Sequence, residues 1–193
     1  KDSFIPINLS LEDKILFYRS TFQNYMKTQK VEKIYISRND SKNRKIINEE
    51  KLVTFLKKKN FKIVQLSKYN LINQISLFSN AKIVISMHGA GLTNIIFCKK
   101  NTPVIEIIHD INKKKQDWYC PSNKFKFTYT ARDHFAKIAK IIKLDHFLYF
   151  CVNNSINKND ENDQLTLKKI TNTDLSIDLE KFSEFYTLNF NNI

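Results

Sequence analysis

The stretch Lys82-Ile-Val-Ile-Ser-Met-His-Gly-Ala-Gly-Leu-Thr-Asn-Ile-Ile-Phe97 decides the fold. Lys82 to Met87 is a short run rich in Ile and Val, the pattern of a strand buried on both faces. It leads straight into His88, Gly89, Ala90 and Gly91, and Leu92 to Phe97 then reads as a short helix. A buried strand that passes through glycines into a helix is the repeating unit of a parallel α/β sheet. The chain has only two glycines in 193 residues, and both are here. Average usage would supply about 13.

The same alternation extends outward in both directions. Strands are expected at Lys33–Ser37, Phe61–Leu66, Pro103–Ile108, Phe125–Thr130 and His146–Val152. Helices are expected at Asn48–Lys59, with Asn48 as N-cap, at Leu71–Phe78 and at His134–Ile142. Strands and helices alternating at this pitch give a Rossmann-like parallel sheet with helices on both faces. Residues 1–30 read as a leading helical segment, or linker, from a missing N-terminal domain, and 31–152 as the Rossmann-like, donor-binding domain. Residues 153–193 read as a polar loop followed by a C-terminal helix at Asp178–Leu188. The first residue is Lys, so the chain reads as part of a longer protein.

Composition sets limits. With 32 basic and 19 acidic residues the formal charge is +13, but Lys, Asn and Ile number 28, 22 and 25. All three have A/T-rich codons, so base composition is the simplest source of the charge, which is weak evidence for nucleic acid. The aromatics follow core periodicity and are not interleaved with cations, as a nucleic-acid surface needs. Three cysteines without CxxC spacing suggest neither a disulfide framework nor zinc; Cys98 and Cys151 lie in apolar runs and read as buried thiols. The uncharged run Ile83–Cys98 is too short and too polar to span a membrane.

Three features could carry chemistry. The first is Ser86–Asn94. The glycines allow a sharp turn and close approach of a ligand, and the following helix start offers free N–H groups and a partial positive charge. That is a site for an anion, with the Thr93 hydroxyl as a further donor; the bland alternative is a tight strand–helix turn. The second is Arg38, just past the first strand, with Arg44 six residues on. Only four arginines survive in a Lys-saturated chain, and Arg suits bidentate contact with phosphate. The alternative is surface arginines, or a pairing with Glu49 or Glu50. The third is Glu106, a carboxylate in an apolar strand, expensive unless paired or used. It could accept from ribose hydroxyls or face solvent at a strand end. Arg38, Gly89–Thr93 and Glu106 are expected along one sheet edge, lining a single cleft. His109, His134 and His146 are given no role. No D-x-D occurs, so protein cations must neutralise a diphosphate.

The sequences ISRxxSxxRxIxNE (Ile36–Glu49) and FSNAKIVISMHGAGLTNIIF (Phe78–Phe97), with the strand of Glu106, resemble glycosyltransferase family 61 over about residues 31–150. The resemblance implies the C-terminal, nucleotide-sugar-binding half of a two-domain GT-B enzyme, inverting and independent of metal, with no cofactor. It implies donor contacts from Arg38, Arg44, His88, Gly89, Ala90, Gly91, Leu92, Thr93, Asn94 and Glu106, and leaves the general base unassigned. The expected function is transfer of a sugar from a nucleoside diphosphate to a glycan hydroxyl, in bacterial capsule or lipopolysaccharide assembly. The expected location is the cytoplasm, at the inner face of an anionic membrane. The alternative is a catalytically silent nucleotide- or glycan-binding module.

Overall fold

A computed structural model describes residues 9–26, 30, 32–110, 118–119, 134–152 and 173–193. The strand expected at Phe125–Thr130, the polar loop from Asn153, Cys120 and the Lys113–Lys115 run lie outside the described residues. The elements are α1 (Leu11–Thr21), β1 (Glu32–Ile36), α2 (Glu49–Lys58), β2 (Phe61–Val64), α3 (Leu71–Ser79), β3 (Ala81–Met87), β4 (Pro103–Asp110), β5 (Trp118–Tyr119), α4 (His134–Ile142), β6 (Asp145–Val152) and α5 (Leu179–Phe190). Among the described residues, 3-10 helices at Gln23–Tyr25, Leu66–Lys68 and Ala90–Phe97 join them.

The sheet order is β2-β1-β3-β4-β6-β5. β2, β1, β3, β4 and β6 are mutually parallel, and two-residue β5 adds an antiparallel edge on β6. The fold is therefore the expected α/β, Rossmann-like one. Because the strands are covered on both faces, they read as continuous apolar runs. One face carries Ile34, Ile36, Val64, Val84 and Val104 under α1, α3, α4 and the 3-10 helix after β3. The other carries Tyr35, Ile83, Ile85, Ile105 and Tyr149 under α2 and α5.

The topology fixes where a ligand can sit. From β1 the chain moves outward to β2. It then crosses back past β1 to β3, and continues the other way through β4 to β6. The connections leaving β1 and β3 diverge, which opens a crevice between the carboxyl ends of these two neighbours. Arg38 follows β1 and His88 follows β3.

Two local expectations hold in place and differ in detail. Asn48 stands at the N-cap of α2 but makes no side-chain cap bond. Its amide exchanges two hydrogen bonds with the backbone of Ile177, at 2.8 and 3.0 Å. A short helix does follow the glycines, but it is a 3-10 helix over Ala90–Phe97. Arg19 of α1 donates to the carbonyls of Ile96 and of Cys98, the latter at 3.0 Å, and so ties up acceptors left at its end. Cys98 and Cys151 are buried as expected, and burial pushes the Cys98 thiol up to about 12.

Candidate functional site

The site is built where the two strands end. Arg38 sits in the loop after β1, and its guanidinium is held by that loop. Nε donates to the carbonyl of Arg44 at 3.2 Å, and Nη2 donates to Ser41 Oγ at 3.0 Å and to the Asn43 carbonyl at 3.5 Å. Arg44 reaches this geometry in a left-handed backbone conformation, φ 62°. The loop is in turn clamped by the C-terminal segment. Leu175 bridges Ile46, with backbone bonds from Ile47 N at 2.8 Å and to the Lys45 carbonyl at 2.9 Å, and Asp174 accepts from Lys45 N at 2.8 Å.

The free end of the guanidinium lies against the glycine loop. A Cβ on Gly89 would fall 2.1 Å from Nη1 and 2.9 Å from Cζ of Arg38. Arg38 and Gly89, 51 positions apart in the sequence, thus meet at the crevice. Burial and the neighbouring Arg44 both push the Arg38 pKa down and Asp40 opposes them; the group stays cationic, as guanidinium does in proteins.

This changes the reason for the glycines. Neither has a left-handed conformation; Gly89 is extended, φ 166°. No sharp turn demands them. Gly89 is required by Arg38, and Gly91 by Leu66, whose Cδ1 would lie 2.8 Å from an added Cβ. Gly89→Ala should therefore move the flexible arginine rather than the backbone. The expected result is a loss of about tenfold in nucleotide affinity by calorimetry, the worth of one charge-assisted hydrogen bond, with little change in melting temperature. Unchanged affinity would show that Arg38 need not touch this loop.

The remaining loop residues divide. Ala90 and Thr93 are exposed at the start of the 3-10 helix. Its first N–H groups have no partner within the helix. Leu92 is fully buried and can offer only backbone. Asn94 turns away from the crevice: its amide donates to Gln74 Oε1 at 3.0 Å and to the Gly91 carbonyl at 3.3 Å. Gln74 donates to the carbonyls of Leu66 and Tyr69, at 3.1 and 2.9 Å, so Asn94 braces the loop against α3.

Glu106 is neither at a solvent-facing strand end nor on the cleft wall. It has no exposure, and both oxygens are occupied: Oε1 by His88 Nδ1 and Oε2 by His146 Nε2 at 2.8 Å. Direct contact with a ribose is replaced by a place behind the loop. Alternation explains the meeting: Ser86 pairs with Glu106 across β3 and β4, and Glu106 pairs with Leu148 of β6, two residues beyond His146. His146 is the residue that sequence reasoning missed. The only signal was a histidine in an otherwise apolar strand.

Burial alone would raise the Glu106 pKa, but hydrogen bonds from His146 and His88, and their charge, bring it below its usual value. The folded protein then binds fewer protons at this group than the unfolded chain. Its contribution is present above the ordinary carboxylate range and is lost as pH falls through and below it. The melting-temperature gap between wild type and Glu106→Gln should be widest near neutrality and close on acidification. A gap independent of pH would mean that the carboxylate charge does not contribute.

A second polar group lies on the β1–β2 side of the same edge. Glu49 is buried and accepts from Tyr35 OH at 2.6 Å and Ser37 Oγ at 3.2 Å, so it does not pair with Arg38 or Arg44. Burial, then the charge of Glu49 and its hydrogen bond, push the Tyr35 pKa well above its usual value. A groove of about 330 Å³ opens over Ser37, Asn39, Glu49, Gln65 and Tyr69. Among the described residues, no group of three or more His, Cys, Asp or Glu side chains is arranged to hold a metal ion. No helix among them is long and apolar enough to cross a membrane.

Comparison with known proteins bears on this arrangement. The chain is 34% identical over 82 residues to the EGF domain-specific O-linked N-acetylglucosamine transferase of Drosophila melanogaster. The match covers 41% of this chain and 16% of that protein, so the chain spans a small part of its relative's length. The family model for glycosyltransferase 61 matches residues 6–105, from before α1 into β4, and takes in both Arg38 and the glycine loop. That match covers more than half of the chain, and the chain belongs to glycosyltransferase family 61.

Proposed function

We propose that this chain is the donor-binding part of an inverting glycosyltransferase that holds a nucleoside-diphosphate sugar between the ends of β1 and β3. The observation that carries the reading is the Arg38 guanidinium lying against Gly89 at the crevice. Nη1 makes no hydrogen bond to the described residues, while Nε and Nη2 are held by the loop. Two N–H donors are thus left next to a backbone that lacks a side chain. A diphosphate fits that combination, with the peptide N–H groups of Ala90 and Gly91 and the Thr93 hydroxyl as further donors.

In the reaction, an acceptor hydroxyl attacks the anomeric carbon, the bond from that carbon to the diphosphate oxygen breaks, and the nucleoside diphosphate leaves. The charge growing on the leaving oxygen is neutralised by Arg38 and the loop donors. Arg44 adds to the local positive field. The chain has no D-x-D sequence, so protein cations carry this task without a divalent metal. The acceptor side belongs to a second domain of GT-B type. The N-acetylglucosamine named in the relative makes that sugar the first candidate donor. A bacterial glycan assembled at the cytoplasmic face of an anionic membrane suits the +13 charge.

The test is thermal shift with UDP-N-acetylglucosamine, UDP-galactose and GDP-mannose, each with magnesium and with chelator. A ligand that binds only the folded state raises the melting temperature. A rise of several degrees that survives chelation is expected from at least one of them. No rise with any would overturn the donor-site reading, and a rise only with magnesium would overturn its metal independence.

A further inference from the structure

The sheet holds a polar chain that the diphosphate site does not itself account for. Glu106 is fully buried at the middle of the β3–β4–β6 register and is gripped by two imidazoles. A carboxylate of this kind accepts and cannot donate, so the ring nitrogen facing each of its oxygens carries the proton. For His146 that nitrogen is Nε2, and its Nδ1 is buried with no hydrogen-bond partner. The ring is therefore most stable with Nδ1 bare, because a proton there would be a buried donor without an acceptor. For His88 the nitrogen turned inward is Nδ1. Its side chain keeps 22% exposure, and Nε2 has no partner among the described residues. The ring edge opposite Glu106 thus faces outward, one residue before Gly89.

We propose that Glu106 and His146 form a buried positioning pair that turns the Nε2 edge of His88 onto the diphosphate bound at Gly89. This rests on the donor-site reading above and adds to it how the histidine is set. The principle is that the bond made by one ring nitrogen decides what the other offers. His146 fixes one oxygen of Glu106, and Glu106 fixes the tautomer and plane of His88. From α4 the Phe135 ring packs edge-on at 5.3 Å and closes one side of the imidazole. Among the described residues, Glu106 from β4 holds His88 directly, His146 from β6 holds the other oxygen of that carboxylate, Arg38 from the β1–α2 loop lies against the next residue, Gly89, and His134 lies edge-on to Phe135 on α4. When a phosphate oxygen reaches Nε2, the ring lies between two anions, and a proton from solvent lets both nitrogens donate. His88 then complements Arg38 from the other strand end. A purely structural role explains this chain poorly, since apolar side chains would fill the same space without burying a carboxylate.

The chain has four histidines, so long-range proton–nitrogen NMR of histidine-labelled protein resolves each ring, with His88 assigned by its loss in His88→Gln. In ligand-free wild type, His88 is expected to carry a proton on Nδ1, and His146 on Nε2 with Nδ1 bare. Saturation with UDP-N-acetylglucosamine or GDP-mannose should move the His88 Nε2 resonance into the protonated range. By calorimetry, Glu106→Gln should weaken the same ligand about tenfold, one charge-assisted hydrogen bond. His146→Gln should weaken it by less. In a His88→Gln background, Glu106→Gln should change affinity less than twofold, because its effect passes through His88.

A bare Nδ1 on His88 overturns the proposal in wild type alone, without any variant having to fold. So does a ligand that binds while Nε2 stays unmoved, or a loss in the double variant equal to the sum of the singles. Failure of these two and of UDP-galactose to bind at all would instead bring down the donor-site reading on which the proposal rests.

Discussion

Phe182→Ala should remove about 3–5 kcal/mol of stability, the usual cost of emptying a buried phenylalanine site. Phe182 lies on α5 with no exposure, edge-on to Tyr149 at 4.9 Å and to Phe55 at 6.1 Å, and tilted against Phe185 at 6.1 Å. It joins α5 to β6 on one side and to α2 on the other, so a truncated side chain leaves a void that neither neighbour can fill. A domain is stable by about 5–15 kcal/mol in total, so the loss is a large share. The consequence reaches the candidate site. The segment before α5 holds the Arg38 loop through the Ile46–Leu175 bridge and the paired bonds between Asn48 and Ile177. Urea unfolding should show a lower midpoint with little change in slope, and the amides of Ile47 and Leu175 should exchange faster than in wild type. A loss under about 1 kcal/mol with unchanged exchange would mean that α5 docks weakly and that the loop is held by its own bonds.

The sheet was legible because its strands are buried on both faces. Lys33–Ser37, Lys82–Met87, Pro103–Ile108 and His146–Val152 are apolar runs, and the observed strands begin and end within about two residues of them. The spacing of Leu179, Phe182, Phe185 and Tyr186 likewise marked α5. Residues whose identity depends on a partner far along the chain were harder to read. Gly89 looked like a turn glycine, yet its backbone is extended and its need is set by Arg38. Glu106 looked like a ligand contact because a lone carboxylate in a strand demands a partner, and the sequence could not say which. The partner is set by register: β6 lies between β4 and β5 in the sheet, which brings His146 to the carboxylate. Local pattern carries periodicity and turn chemistry, whereas register follows from long-range pairing. The place of Arg38 just past a strand end was legible for a different reason, the clear apolar run that ends before it, and its retention as arginine in a lysine-rich chain drew attention to it.

Arg38→Lys should weaken nucleotide-sugar binding by about 10- to 150-fold, or roughly 1.5–3 kcal/mol, although the charge is kept. Arginine does two jobs here that one ammonium cannot combine. Nε and Nη2 bind the carbonyls of Arg44 and Asn43 and the hydroxyl of Ser41, which fixes the plane of the guanidinium. Nη1 is left against Gly89, next to the helix start. A lysine that satisfied the loop carbonyls would draw its charge away from Gly89, and one that reached toward Gly89 would leave the carbonyls without their donors. Either way the contact with two phosphate oxygens becomes a single point contact. Lys57→Ala and Lys58→Ala are the controls. Both lie exposed in the last turn of α2, and each should change affinity by less than about 1 kcal/mol through screened charge alone. Calorimetry with UDP-N-acetylglucosamine or GDP-mannose, with folding checked by circular dichroism, separates the cases. Equal affinity in wild type and Arg38→Lys would reduce Arg38 to a loop brace and leave the anion site to the peptide N–H groups after Gly89. A fall in the lysine controls as large as in Arg38→Lys would show that net charge, and not the planar fork, attracts the donor.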